Sequence, residues 1–115
     1  MPLLKLETTV ALPDEKRKSL LAALSKTVAG TIGKPEQYMM VTLSHTAVLM
    51  SGKEGEAAFV DIRRIGGLST EVNRKLSQQV CQLLQDSLGV APDRIYMNFT
   101  DVDASNWGWN GSTFG

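Results

Sequence analysis

Apolar residues in the first half of the chain recur in the second half at an offset of about 56 positions. At that shift Leu4 falls on Val60, Leu6 on Ile62, Leu20 on Leu76, Leu24 on Val80, Val28 on Leu84, Ile32 on Leu88 and Gly33 on Gly89. Self-similarity at a fixed offset means two copies of one supersecondary unit. The unit reads strand, helix, strand, which favours a parallel strand pair joined by a right-handed crossover. Two such units predict an α+β fold: a four-stranded mixed sheet with both helices on one face. The 115 residues suffice for one domain, residues 1–115, and not for two.

Each unit is marked by local signals. From Leu3 the chain alternates Leu4, Leu6 and Thr8 against Leu3, Lys5 and Glu7, a strand expected to end near Ala11-Leu12. Pro13-Asp14-Glu15 opens a helix, because proline fits its first turn and acids complement its dipole. Leu20, Leu24, Val28 and Ile32 make its apolar stripe; Gly33 ends it and Pro35 prevents its resumption. A second strand is predicted from Tyr38 to His45, with Met39, Val41 and Leu43 on one face. After the polar loop Ser51-Gly52-Lys53-Glu54-Gly55-Glu56, a third strand begins at Ala57. Ile65-Gly66-Gly67-Leu68 is a turn, Ser69-Thr70 caps a second helix, and Gly89 stops it. Ile95 to Thr100 is the fourth strand. The tail from Asp101 to Gly115 is polar but carries Trp107, Trp109 and Phe114, so it is expected to dock onto something.

The second face of the sheet has no helix to cover it. Tyr38, Met40 and Thr42, Phe59, and Tyr96, Asn98 and Thr100 all fall there. That surface is too apolar to leave bare and too polar for an ordinary core. A partner subunit in a closed homo-oligomer covers it most simply; a small-ligand face is the competing explanation.

Charge narrows the function classes. Twelve basic and twelve acidic residues balance, whereas a nucleic-acid-binding surface needs a basic surplus. The one cysteine allows neither an internal disulfide nor a cysteine-based metal cluster. No apolar run is long enough to span a membrane. Lys5 and Glu7 interrupt the only apolar start, so no signal peptide is expected and the cytoplasm is the default location, with unconventional secretion left open.

Met1-Pro2 is the stretch with chemical potential. Removal of Met1 turns the Pro2 ring nitrogen into a free secondary amine, and the following strand would hold it rigidly. The plainer alternative is a proline that merely starts an edge strand.

Together these residues resemble the macrophage migration inhibitory factor family. The resemblance rests on Met1-Pro2, on Gly33-Lys34-Pro35 followed by Tyr38, and on Ile65-Gly66. Pro92-Asp93-Arg94-Ile95-Tyr96-Met97-Asn98 and Gly108-Trp109-Asn110-Gly111-Ser112-Thr113-Phe114 extend it over essentially the whole chain. The resemblance implies the tautomerase fold, a homotrimer of β-α-β repeats, and cofactor-independent keto–enol tautomerisation of small aromatic substrates like phenylpyruvate or dopachrome. It implies Pro2 as the catalytic base and Lys34 and Ile65 as substrate contacts. It also implies Tyr96 and Asn98 reaching the site from a neighbouring subunit, and Tyr38, Trp109 and Phe114 lining the pocket. The chemistry is coherent: the base must be neutral yet protonatable, and desolvation together with a nearby ammonium, Lys34, keeps an amine neutral. Lys34 would also neutralise a substrate carboxylate or developing enolate oxygen. By itself, Lys34 reads better as a solvated lysine at a helix C-terminus, and it is the resemblance that assigns it to the site.

Two departures stand out. Some relatives carry Cys-x-x-Cys on the third strand; here Ala57-Ala58-Phe59-Val60 excludes that redox chemistry, and Cys81 reads as packing. Trp107 stands where relatives often carry a smaller apolar residue, and a larger ring there is expected to narrow or reshape the pocket and so to bear on substrate preference. His45 reads as a solvated residue. A receptor-binding signalling or binding protein with weak or vestigial activity is the alternative function, and a structural or small-molecule-binding trimer with a vestigial pocket is a third.

Overall fold

A computed structural model describes residues 2–115. Six strands and two long helices follow one another as β1 (Leu3–Thr8), α1 (Asp14–Ile32), β2 (Met40–His45), β3 (Ala58–Arg64), α2 (Thr70–Leu88), β4 (Ile95–Asp101), β5 (Gly108–Trp109) and β6 (Ser112–Thr113). The repeat is exact in the helices: each has 19 residues, and α2 starts and ends 56 positions after α1 (14 to 70, 32 to 88). Gly33 and Gly89 close the two helices in left-handed conformation, at φ 75° and 69°, which glycine adopts without a Cβ penalty. The Ser69 hydroxyl accepts the Val72 N–H at 3.1 Å, satisfying one of the free amides at the start of α2.

The main sheet has the order β2-β1-β3-β4. β1 and β2 are parallel, β3 and β4 are parallel, and the two units meet through the antiparallel pair β1–β3. Leu4, Leu6, Val60 and Ile62 point from that central pair into a core completed by Leu20, Leu24 and Val28 of α1 and Leu76, Val80 and Leu84 of α2. All of these are essentially free of solvent. Truncating any one leucine to alanine would cost about 2–5 kcal/mol. The opposite face is bare in the single chain: Met40 and Tyr96 are 62% and 65% exposed, and Thr42, Asn98 and Thr100 are exposed beside them.

Local chemistry moves two strand boundaries from their predicted places, and the tail takes a form of its own. β1 ends at Thr8, short of Ala11-Leu12, because the Thr8 hydroxyl takes the Val10 N–H and turns the chain. Tyr38 belongs to a 3₁₀ turn, Glu36–Tyr38, and β2 begins only at Met40. The tail folds on itself: Trp109 and Phe114 stack with centroids 5.9 Å apart across the β5–β6 hairpin.

Arg94 has a structural role that the repeat did not signal. Its guanidinium donates to the carbonyls of Met50, Lys53, Gly55 and Glu56 at 2.9–3.3 Å, pinning the polar loop before β3. His45 is exposed but not idle, since its Nε2 lies 3.1 Å from the Thr9 carbonyl. Among the described residues, no helix is long and apolar enough to cross a membrane.

Candidate active site

Pro2 is fully buried at the N-terminal end of β1, and its carbonyl accepts the Met40 N–H at 3.1 Å. The removal of Met1 concerns a residue outside the described part of the chain. Two cavities meet at Pro2 and Tyr38. One, of about 440 Å³, opens toward the bare face of the sheet. Its walls are Leu3, Met40 and Arg63 from that face and Val102, Asn106, Trp107, Gly108 and Trp109 from the tail. The other, of about 430 Å³, lies between the end of the sheet and the end of α1. Lys34, Pro35, Arg64, Ile65, Ala104 and Phe114 line it together with Pro2 and Tyr38.

Local structure explains how these residues converge. Gly33 ends α1 by turning the chain, which sets Lys34 and Pro35 just beyond the helix and beside the start of β1. Ile65 follows the last residue of β3, and β3 runs antiparallel to β1, so its end lies next to the start of β1. The hairpin tail brings Trp107 and Trp109 to one cavity and Phe114 to the other.

Of the residues singled out from sequence, Pro2, Lys34, Ile65, Tyr38 and Phe114 share one cavity, and Pro2, Tyr38, Trp107 and Trp109 share the second. Tyr96 and Asn98 line neither. They stand on β4 at the far edge of the sheet, exposed on the bare face.

The electrostatics are one-sided. Among the described residues, neither cavity has an acidic wall residue, while Lys34, Arg63 and Arg64 all contribute cations. Arg63 is neutralised by Asp61, with a 3.0 Å ion pair on the strand surface. Among the described residues, neither Lys34 nor Arg64 makes an ion pair. Such a wall suits an anionic ligand with an apolar or aromatic body. Cys81 lies elsewhere, half-buried on α2, and burial pushes its thiol up from the ordinary value.

Sequence reasoning placed Met40 only on the uncovered face and missed Arg63, Arg64, Val102, Ala104 and Asn106 as wall residues. Only Arg64 carried a signal. It extends the core-facing alternation Ala58, Val60, Ile62 by one step, an odd place for a charge.

The sequence profile described as Macrophage migration inhibitory factor (MIF) matches residues 1–115. A macrophage migration inhibitory factor from Meriones unguiculatus is 40% identical over 98 residues, covering 84% of this chain and 85% of its own length. A homologue from Trichuris trichiura is 36% identical over 99% of this chain and all of its own. The crystal structure of a homologue from Prochlorococcus marinus superposes with a TM-score of 0.93 at 38% identity, covering 98% of this chain and 99% of that one. That of a like protein from Entamoeba histolytica gives 0.94 at 31%, covering 98% of both chains. Matched along its whole length in sequence and in fold, the chain belongs to the macrophage migration inhibitory factor family, within the tautomerase superfamily.

Proposed function

We propose that this protein is a keto–enol tautomerase that acts on phenylpyruvate-like or dopachrome-like substrates, with Pro2 as its base after Met1 is removed. Membership of a family with the tautomerase fold supports an isomerase-type enzyme in general. The observation that carries the finer reading is the burial of Pro2 where two cavities meet, one of them bearing Lys34. A free proline amine there would be desolvated and would face cations, and both effects favour its neutral form. Neutral, it takes a proton from the carbon beside the substrate carbonyl and returns it to the other terminus of the enol system. Lys34 stabilises the oxygen on which charge develops. Ile65 holds the substrate by its backbone, and Tyr38, Trp107, Trp109 and Phe114 receive an aromatic body.

The same reading makes the active form a homotrimer. The bare face needs a cover, and in that assembly Tyr96 and Asn98 reach the site of a neighbouring subunit. A binding or signalling protein with vestigial activity is the alternative, favoured by the names its relatives carry. Turnover of enol phenylpyruvate and of a dopachrome ester by protein shown by mass spectrometry to begin at Pro2 is the test. Failure on both substrates overturns the enzymatic reading and leaves the binding one.

A further inference from the structure

The antiparallel pair β1–β3 has two ends, related by the internal repeat. At one end Thr8 lies opposite Ala58. There the polar side chain is fully used: the Thr8 hydroxyl donates to the Ala57 carbonyl at 3.2 Å and accepts the Val10 N–H at 3.2 Å. At the other end Leu3 lies opposite Arg63, so one further step of the register sets Arg64 opposite Pro2. Arg64 is the 56-residue counterpart of Thr8, and its chemistry is not closed in the same way.

Arg64 is only 7% exposed. Its one side-chain hydrogen bond among the described residues runs from Nη1 to the Gly67 carbonyl at 3.2 Å. A guanidinium has five N–H donors, and burying it without an anion is costly. Those remaining donors are not sealed in protein. Among the described residues, Asn73 Oδ1 alone is a fully buried side-chain polar atom without a partner. The free donors therefore face the cavity that Arg64 shares with Pro2, Lys34 and Ile65. Gly67 holds the group in place: a Cβ there would lie 2.6 Å from Arg64 Cζ.

We propose that Arg64 is the carboxylate-binding residue of the Pro2 site. Its planar fork grips a substrate carboxylate at two points, which leaves Lys34 to the oxygen beside the reacting carbon. The site then selects small 2-oxo acids over their esters. The proposal rests on the tautomerase reading for its substrate, but not for its binding test.

That test measures binding of 3-phenylpropionate and its methyl ester, followed by tryptophan fluorescence, in the wild-type protein and in Arg64→Gln, Arg64→Lys and Gly67→Ala. Kinetics with phenylpyruvate and its methyl ester run in parallel, and thermal melts report folding. Arg64→Gln should weaken the acid by about tenfold or more, as expected for hydrogen bonds to a charged group, and leave the ester within about twofold. Arg64→Lys should fall between, keeping the charge without the fork. Gly67→Ala should also weaken the acid, by displacing the guanidinium while its charge remains. Acid binding through Arg64 without turnover supports the proposal and removes the tautomerase reading. Turnover with unchanged acid selectivity in Arg64→Gln and Arg64→Lys overturns the proposal and leaves that reading. Equal losses for acid and ester assign Arg64 a structural role and overturn it, as does a wild-type protein that binds neither probe.

Discussion

Retaining Met1 should slow the proposed reaction steeply, because it removes the base that Pro2 would supply. With Met1 attached, the Pro2 nitrogen is a tertiary amide whose lone pair is delocalised into the carbonyl, so it cannot act as a base. A positioned general base contributes about a hundred- to ten-thousand-fold, and kcat/KM should drop by that factor. Pro2→Gly separates the amine from the ring. It keeps a free amine, but a primary and less rigidly held one. The buried ring contributes three methylenes at about 0.8 kcal/mol each, so the variant should also lose roughly 2 kcal/mol of stability. The assay compares phenylpyruvate turnover by three samples typed by mass spectrometry: the form beginning at Pro2, the form retaining Met1, and processed Pro2→Gly. Pro2→Gly should be slow but above the Met1 form, and its thermal midpoint should be lower. Wild-type rates from a chain shown to retain Met1 would remove Pro2 from the mechanism, and the base would have to be sought among the other cavity residues.

Four further outcomes are expected. Sedimentation should show a homotrimer, because Met40 and Tyr96 are too exposed to leave uncovered; a stable monomer at micromolar concentration refutes both the assembly and a shared site. Lys34→Ala should lower kcat/KM about ten- to a hundredfold with little change in thermal midpoint, since a hydrogen bond to a charged group is worth about 1.5–3 kcal/mol; wild-type kinetics would reduce Lys34 to a surface lysine. Arg94→Ala should free the loop that its guanidinium pins at four carbonyls, seen as faster hydrogen exchange across residues 50–56; unchanged exchange there shows the clamp to be redundant. Insulin reduction should not be catalysed, because Cys81 stands alone and burial keeps its thiol protonated; turnover that survives Cys81→Ser contradicts this.

Periodicity along the chain was enough to specify the two-unit architecture. Leu20, Leu24 and Val28 repeat at helical spacing, Leu4 and Leu6 at strand spacing, and both sets return 56 residues later. Such periods report which side of each element is buried, and burial is what drives the fold. Gly33 and Gly89 were equally legible, because a left-handed helix end selects glycine locally. The end of β1 and the start of β2 were not, since a hydroxyl hydrogen bond at Thr8 and a 3₁₀ turn at Tyr38 leave no periodic trace. The site divides in the same way. Pro2, Lys34 and Ile65 were nameable from motifs, but their convergence depends on antiparallel pairing between strands some 55 residues apart in the chain. Arg64 shows this most clearly. Its sequence position reads as a misplaced charge at the end of a strand. Only the β1–β3 register, the approach of Gly67 and the cavity beside Pro2 show what the charge faces, because contact across a sheet is set by pairing and not by proximity along the chain.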